Sequence, residues 1–133
     1  MPAALLIYLD TSVALAHLLA EDRMPPDTLW REALVASRLL EYELWTRLHA
    51  RKLGASHGEA ARALLTRVSL LELSPPLLTR ALDPFPAPVR TLDALHLAAM
   101  DFLRRHGQTV KLAAYDERLL AAARALGFEM FPL

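Results

Sequence analysis

The sequence contains no cysteine. That absence removes disulfides, thiolate zinc sites and thiol nucleophiles together, so any metal has to be held by oxygen or by one of five histidines. It is also a cytosolic composition, since a small secreted domain tends to use disulfide staples. Asparagine is missing, glutamine occurs once, and lysine occurs only at Lys52 and Lys111 against abundant arginine, leucine and alanine, a usage that suits a high-GC genome. Net charge is lacking too. Fifteen basic residues balance fifteen acidic ones, which argues against a protein that coats nucleic acid by bulk charge and leaves a local basic rim open. Long hydrophobic runs are also absent: the opening stretch from Ala3 to Leu9 is short, has no basic region before it and ends in an aspartate. It is expected to be a buried strand, with neither a signal peptide nor a membrane span.

What is present is a chain of 133 residues, 54% of them hydrophobic, enough to bury one core without covalent staples. With no internal repeat, low-complexity tract or long linker, a single domain over residues 1–133 is expected. Apolar β-capable runs alternate with helical patterns, the arrangement of an α/β fold with a mostly parallel central sheet. Strands are expected near Leu5–Leu9, Leu34–Arg38, Ser69–Leu73, Val110–Ala113 and Phe128–Phe131. Thr11 or Ser12 is placed to cap a helix through Leu19, and Pro25 and Pro26 to open a short one. A helix from Leu39 to Lys52 should stop at Gly54, and Ser56–Val68 should follow with Glu59 in a capping box. After a short helix at Pro75 and a proline-rich loop over Asp83–Pro88, Thr91 should cap Leu92–His106, which Gly107 ends. The last helix, Asp116–Leu126, ends at Gly127.

Most carboxylates in such a chain are solvated, so the informative ones sit where a solvated charge should not. Asp10 follows a buried strand directly, at the carboxyl edge where parallel sheets place their ligands. Because Thr11 and Ser12 are better placed to cap the next helix, Asp10 is free for chemistry. In the helix from Leu39, the residues Leu39, Leu40, Leu44 and Leu48 define the apolar arc, and Glu43 falls inside it while Glu41 falls at or beyond its edge. Glu43 therefore needs a partner, either Arg47 one turn later or a metal or catalytic role. In the helix from Leu92, the apolar arc comprises Leu92, Leu95, His96, Ala99, Met100, Phe102 and Leu103. Asp93 lies at its border, either complementing the helix dipole or serving the site, whereas Asp101 projects from the opposite side and reads as solvated. His96 reads as a satisfied core histidine. Asp116 repeats the geometry of Asp10 after the fourth strand, as an N-cap or as a functional carboxylate. If those two strands are neighbours, both aspartates emerge at one edge and their repulsion calls for a cation. A cluster of carboxylates without cysteine or a histidine pair at metal spacing suits Mg²⁺ or Mn²⁺, and phosphodiester hydrolysis is the natural use of such a site.

Four stretches also match a family. Tyr8-Leu9-Asp10-Thr11-Ser12, Ser37 to Leu44, Leu92-Asp93-Ala94-Leu95-His96-Leu97-Ala98, and Tyr115-Asp116-Glu117-Arg118-Leu119-Leu120 resemble the successive motifs of PIN domains, in particular the compact VapC toxins of toxin–antitoxin pairs. The resemblance covers nearly the whole chain. It implies a three-layer α/β/α domain and a cytoplasmic Mg²⁺- or Mn²⁺-dependent endoribonuclease that attacks RNA with metal-activated water, with Asp10, Glu43, Asp93 and Asp116 as metal ligands. Ser12, or Thr11, would correspond to the hydroxyl beside the first aspartate. Ala114 departs from the pattern, since such toxins often carry a hydroxyl residue there, and Asp116 is left without that support. The family further implies a homodimer and a small antitoxin protein whose tail enters the active-site groove. Leu29, Trp30, Leu44 and Trp45 are apolar enough for such surfaces and equally suited to core packing. Arg47, Arg51 and Lys52 could face substrate phosphates. The competing designs are a PIN domain serving as a non-toxin nuclease or binding partner, and a receiver-like phosphoacceptor domain, which wants an acidic pair after the first strand and a late lysine.

Overall fold

The computed structural model describes residues 5–133; the start of the opening run, Ala3 and Ala4, lies outside them. In chain order the elements are β1 (Leu5–Leu9), α1 (Thr11–Leu18), a 3-10 turn (Asp27–Arg31), β2 (Leu34–Ser37), α2 (Leu39–Ala50), α3 (Gly54–Thr66), β3 (Val68–Leu71), α4 (Pro75–Ala81), α5 (Thr91–Arg105), β4 (Thr109–Ala113), α6 (Glu117–Ala125) and β5 (Glu129–Met130). The five strands form one sheet in the order β3-β2-β1-β4-β5, every pairing parallel. From β1 the chain winds outward to β3, then returns to the other side of β1 to lay down β4 and β5. The direction of winding thus reverses between β1 and β4, which in open α/β sheets opens a crevice beyond the strand ends.

The period of two along β1 divides the core. Ile7 and Leu9 pack on one face with Val13, Leu40, Leu44, Leu48 and Leu64 from α1, α2 and α3. Tyr8 points to the other face and packs with Leu77, Leu97, Met100, Leu119 and Ala122 from α4, α5 and α6. The domain is therefore the three-layer α/β/α sandwich expected. Leu29 and Leu44 are fully buried in it and present no surface. No helix among the described residues is long and apolar enough to cross a membrane.

Several local expectations are corrected. Gly54 does not end α2, which stops at Ala50, but begins α3, two residues before the expected start at Ser56. The reversal falls instead on Lys52, whose φ of 58° is the left-handed turn, so Leu53 can bond back to the Leu48 carbonyl at 2.8 Å. Ser56 then lies within the first turn, its hydroxyl donating to the Leu53 carbonyl. Gly107 and Gly127 do stop their helices, with φ of 86° and 84°.

Asp101 is the largest correction. It is only 4% exposed, because α5 is covered on a second side by α4. Arg80 of α4 donates Nε to its Oδ2 at 2.8 Å, Arg104 donates Nη2 to Oδ1 at 3.0 Å, and Arg105 approaches Oδ2 at 3.0 Å. The same cover changes the apolar arc: Leu97 and Ala98, outside the expected stripe, are fully buried, and Leu92, inside it, is 45% exposed.

Candidate active site

At the crevice between β1 and β4, a cavity of about 410 Å³ is lined by Asp10, Glu43, Asp93 and Asp116, with Ser12 and His96 among its other walls. Each carboxylate comes from a different element. Asp10 leaves the end of β1, where its backbone N–H donates to the Ala113 carbonyl of β4 at 3.0 Å. Contrary to expectation it is itself the N-cap of α1, its Oδ2 accepting from the Ser12 N–H at 3.3 Å. The Ser12 hydroxyl donates to the same oxygen at 2.6 Å and accepts from the Tyr115 N–H at 2.9 Å. One hydroxyl thus orients Asp10 and ties α1 to the loop that delivers Asp116. Thr11, the other candidate, has a buried hydroxyl with no hydrogen-bond partner among the described residues.

Asp116 caps α6, its Oδ1 accepting from the N–H groups of Arg118 and Leu119 at 3.0 and 3.2 Å. Asp93 sits in the first turn of α5 and accepts from the Arg90 N–H at 3.3 Å; Arg90, not Thr91, is the cap residue. Glu43 turns inward from α2 as its helical position requires, whereas Glu41 pairs outward with Arg38. The partner of Glu43 is not Arg47. It is His96, whose Nε2 lies 2.7 Å from Glu43 Oε1. The ring is 3% exposed and its Nδ1 is 2.7 Å from the Tyr8 hydroxyl, so His96 is a satisfied core histidine that also reaches the site.

Electrostatics follow from this burial. Burial pushes the Asp10 carboxyl above its ordinary range, opposed by His96 and the Ser12 hydrogen bonds and reinforced by the charge of Glu43. Burial alone lowers the His96 imidazole, but Tyr8, the Glu43 hydrogen bond and the charges of Asp10 and Glu43 outweigh it and hold the ring well above its ordinary value.

Among the described residues, no three Asp, Glu or His side chains meet closely enough in this conformation to hold an ion outright. Each carboxylate is engaged by a protein donor, yet all four open on one cavity. An oxygen-rich set containing a buried, charge-crowded Asp10 fits a hard divalent cation in its chemistry.

Two arginines complete the rim, Arg47, which the sequence suggested for substrate phosphates, and Arg90, which it did not. Arg47 and Arg90 both line the cavity, and neither guanidinium has an ion-pair partner among the described residues. The signal for Arg90 was its place just before the Asp93 helix. Arg51, by contrast, reaches Glu21 at 3.8 Å, and neither lysine lines the cavity. Beyond Arg90 and Thr91 lies a larger cleft of about 780 Å³ walled by Leu78, Leu82, Phe85 and Leu95. Its one carboxylate is Asp83, so it is the smaller cavity that gathers groups able to do chemistry.

Comparison with known proteins bears directly on this geometry. A family model described as the PIN domain matches residues 7–125, a span that holds all four carboxylates. The chain belongs to the PIN-domain family. Ribonuclease VapC47 of Mycobacterium tuberculosis (strain CDC 1551 / Oshkosh) is 34% identical to this PIN domain over 130 residues, covering 92% of this chain and 93% of that protein. Ribonuclease VapC46 of M. tuberculosis (strain ATCC 25618 / H37Rv) is 33% identical over 125 residues, covering 91% and 92%. The crystal structure of M. tuberculosis VapC20, a Sarcin-Ricin loop cleaving toxin, superimposes with a TM-score of 0.70 at 25% identity, over 96% of this chain and 99% of that one.

The raised Asp10 carboxyl gives this PIN domain a testable pH signature. A carboxyl raised by folding stabilises in its protonated form: the contribution is complete below the unfolded value near 3.9 and is lost as pH rises through the folded value. At neutral pH Asp10 therefore costs stability, while asparagine keeps the capping acceptor and does not titrate. In chelator at pH 7, Asp10→Asn is expected to raise Tm by a few degrees, the gap closing toward pH 4. Thermal unfolding across that range checks it, and a lower Tm at pH 7 would make Asp10 a structural carboxylate.

Proposed function

We propose that this PIN domain is an endoribonuclease that uses Mg²⁺ or Mn²⁺, held by Asp10, Glu43, Asp93 and Asp116, to hydrolyse RNA phosphodiesters as the toxin of a toxin–antitoxin pair. The observation that supports this reading most is the convergence of four carboxylates, from four separate elements, on one cavity at the switch point of the sheet. Ribonuclease relatives of nearly equal length support the substrate class. A bound cation supplies an acidified water and neutralises phosphate charge.

The rest is the work of the chain's own side chains. Ser12 fixes the face that Asp10 offers by bonding Oδ2. The capped positions of Asp93 and Asp116, each tied to backbone N–H groups, set two carboxylates on rigid helix starts. Arg47 and Arg90 bind flanking phosphates at the cavity mouth, one from α2 and one from the start of α5. In the same reading the chain acts in the cytoplasm as a homodimer and is silenced by a small antitoxin. The phosphoacceptor alternative loses its lysine: Lys111 pairs with Glu129 at 3.7 Å across β4 and β5, and neither lysine lines the cavity.

The deciding experiment is cleavage of RNA by the purified chain in Mg²⁺ or Mn²⁺ and in chelator, together with induced expression with and without a small protein encoded beside it. Metal-dependent cleavage and growth arrest relieved by that protein are expected. Equal cleavage in chelator would refute the metal site, and metal-dependent cleavage without arrest would leave a non-toxin nuclease. For the rim, Arg47→Ala and Arg90→Ala are each expected to weaken RNA binding roughly 5- to 10-fold and to flatten its log–log salt dependence by about 0.7. A binding titration over salt checks this.

A further inference from the structure

The residue behind Glu43 is one that the four-carboxylate scheme does not use. Tyr8 is fully buried near the end of β1, and its hydroxyl has two partners. The Ser37 N–H, at the end of β2, donates to it at 3.2 Å, and His96 Nδ1 lies 2.7 Å away. On the far side of the ring, Nε2 meets Glu43 Oε1 at 2.7 Å. A carboxylate only accepts hydrogen bonds, so Nε2 carries the hydrogen that reaches Glu43 in either charge state of the ring. In the neutral ring the remaining assignment is also determined. With the Tyr8 oxygen already accepting from Ser37, its own hydrogen goes to Nδ1 and locks the Nε2–H tautomer.

We propose that Ser37, Tyr8 and His96 form a buried relay whose purpose is to position Glu43, making His96 a positioning residue for the metal-holding carboxylate. The inference rests on the metal reading above. Glu43 has three rotatable side-chain bonds and reaches the cavity from a helix on the opposite face of the sheet from α5. Left to itself it would lose that freedom on binding a cation. His96 is held from behind by the rigid sheet, through a hydroxyl anchored to the β2 backbone, and so fixes the carboxylate in advance. The ring is 3% exposed and packs edge-on against Tyr8, with ring centroids 5.7 Å apart and planes at 77°, which restrains the imidazole further. A core histidine with no such duty could be replaced by leucine at the cost of stability alone.

Two measurements on the full chain separate these roles. In the first, Mn²⁺ is titrated calorimetrically into the native protein and into His96→Leu, His96→Gln, Glu43→Gln and the His96→Leu/Glu43→Gln double variant, with Tm recorded for each. His96→Leu is expected to weaken Mn²⁺ by about 10-fold or more. His96→Gln, whose side-chain N–H reaches the same place, should recover most of the loss. In the Glu43→Gln background His96→Leu should cost nothing further. An unchanged affinity in folded His96→Leu, or a loss as large with Glu43 removed, overturns the proposal.

The second measurement needs no metal: imidazole ¹⁵N spectra of the native protein, Tyr8→Phe and Glu43→Gln. A hydrogen on His96 Nε2 is expected, its signal shifting in both variants, and a bare Nε2 overturns the relay. Failure of the native chain to bind Mn²⁺ would refute the proposed function, and these spectra would then still decide the relay.

Discussion

Asp10→Asn and Asp93→Asn are each expected to lower metal-dependent RNA cleavage by more than about 100-fold while the chain stays folded. The size follows from what each carboxylate would do. Losing a residue that merely supports a ligand already costs 10- to 100-fold, so losing a ligand costs at least as much as the upper end. Folding is spared because asparagine keeps the acceptors that the two aspartates offer to the Ser12 and Arg90 N–H groups. Glu41→Gln is the matched control. That carboxylate sits two residues from Glu43, yet it faces outward to Arg38 and has no place in the cavity. Full activity in Glu41→Gln with loss in the two aspartate variants ties the chemistry to the cavity. Retained activity in both aspartate variants would break that tie.

The second large effect is on stability and lies far from the cavity. Asp101→Asn is expected to destabilise the fold by about 2–4 kcal/mol, because it strands the partly buried Arg80 guanidinium without its counter-charge. In a domain of this size that is a fall in Tm of roughly 10 °C. Asp101 joins three guanidiniums, and two of them continue outward: Arg80 lies over the Phe85 ring at 4.4 Å and Arg104 over the Phe128 ring at 4.0 Å. The one carboxylate therefore links α4, α5 and the approach to β5. Burial acts to raise its pKa, but the bonds from Arg80 and Arg104 and the charges of Arg105 and Arg104 outweigh it and hold the carboxyl below its ordinary range. The sign is the reverse of that at Asp10. The stabilisation is present above the unfolded value near 3.9 and is lost as pH falls toward the folded one. The native chain should thus outlast Asp101→Asn by the full margin at pH 7 and by progressively less below pH ~4. Thermal unfolding of both proteins across pH checks this, and equal stability at pH 7 would mean that the network is only a surface ornament.

These two regions show what could be read from the chain and what could not. The sheet was legible because β1 is a continuous apolar run ended by Asp10 and β4 an apolar run broken only by Lys111, and a strand buried on both faces has that appearance. Glu43 was legible because α2 is covered on one side, so a single projection tells inside from outside. Its partner was not, since His96 lies 53 positions away and nothing local distinguishes it from Arg47. Asp101 failed for the converse reason. Helix α5 is covered on two sides, and a projection that assumes one apolar stripe assigns the second side to solvent. Three nearby arginines were the available signal, with Arg104 and Arg105 at the spacings of helical ion pairs and Arg80 supplied by the preceding helix. Two caps misled by a residue or two: Asp10 and Arg90 take the positions that Thr11 or Ser12 and Thr91 suggested. In the first case this joins structural capping and site geometry in one carboxylate.

Growing crystals of the native chain in Mn²⁺ and collecting anomalous diffraction tests the central claim most directly. The account predicts a peak inside the carboxylate-lined cavity, beside the carboxylates of Asp10 and Asp93, and no such peak in Asp10→Asn. A cavity without manganese, or a metal held elsewhere on the surface while RNA is still cleaved, would contradict it.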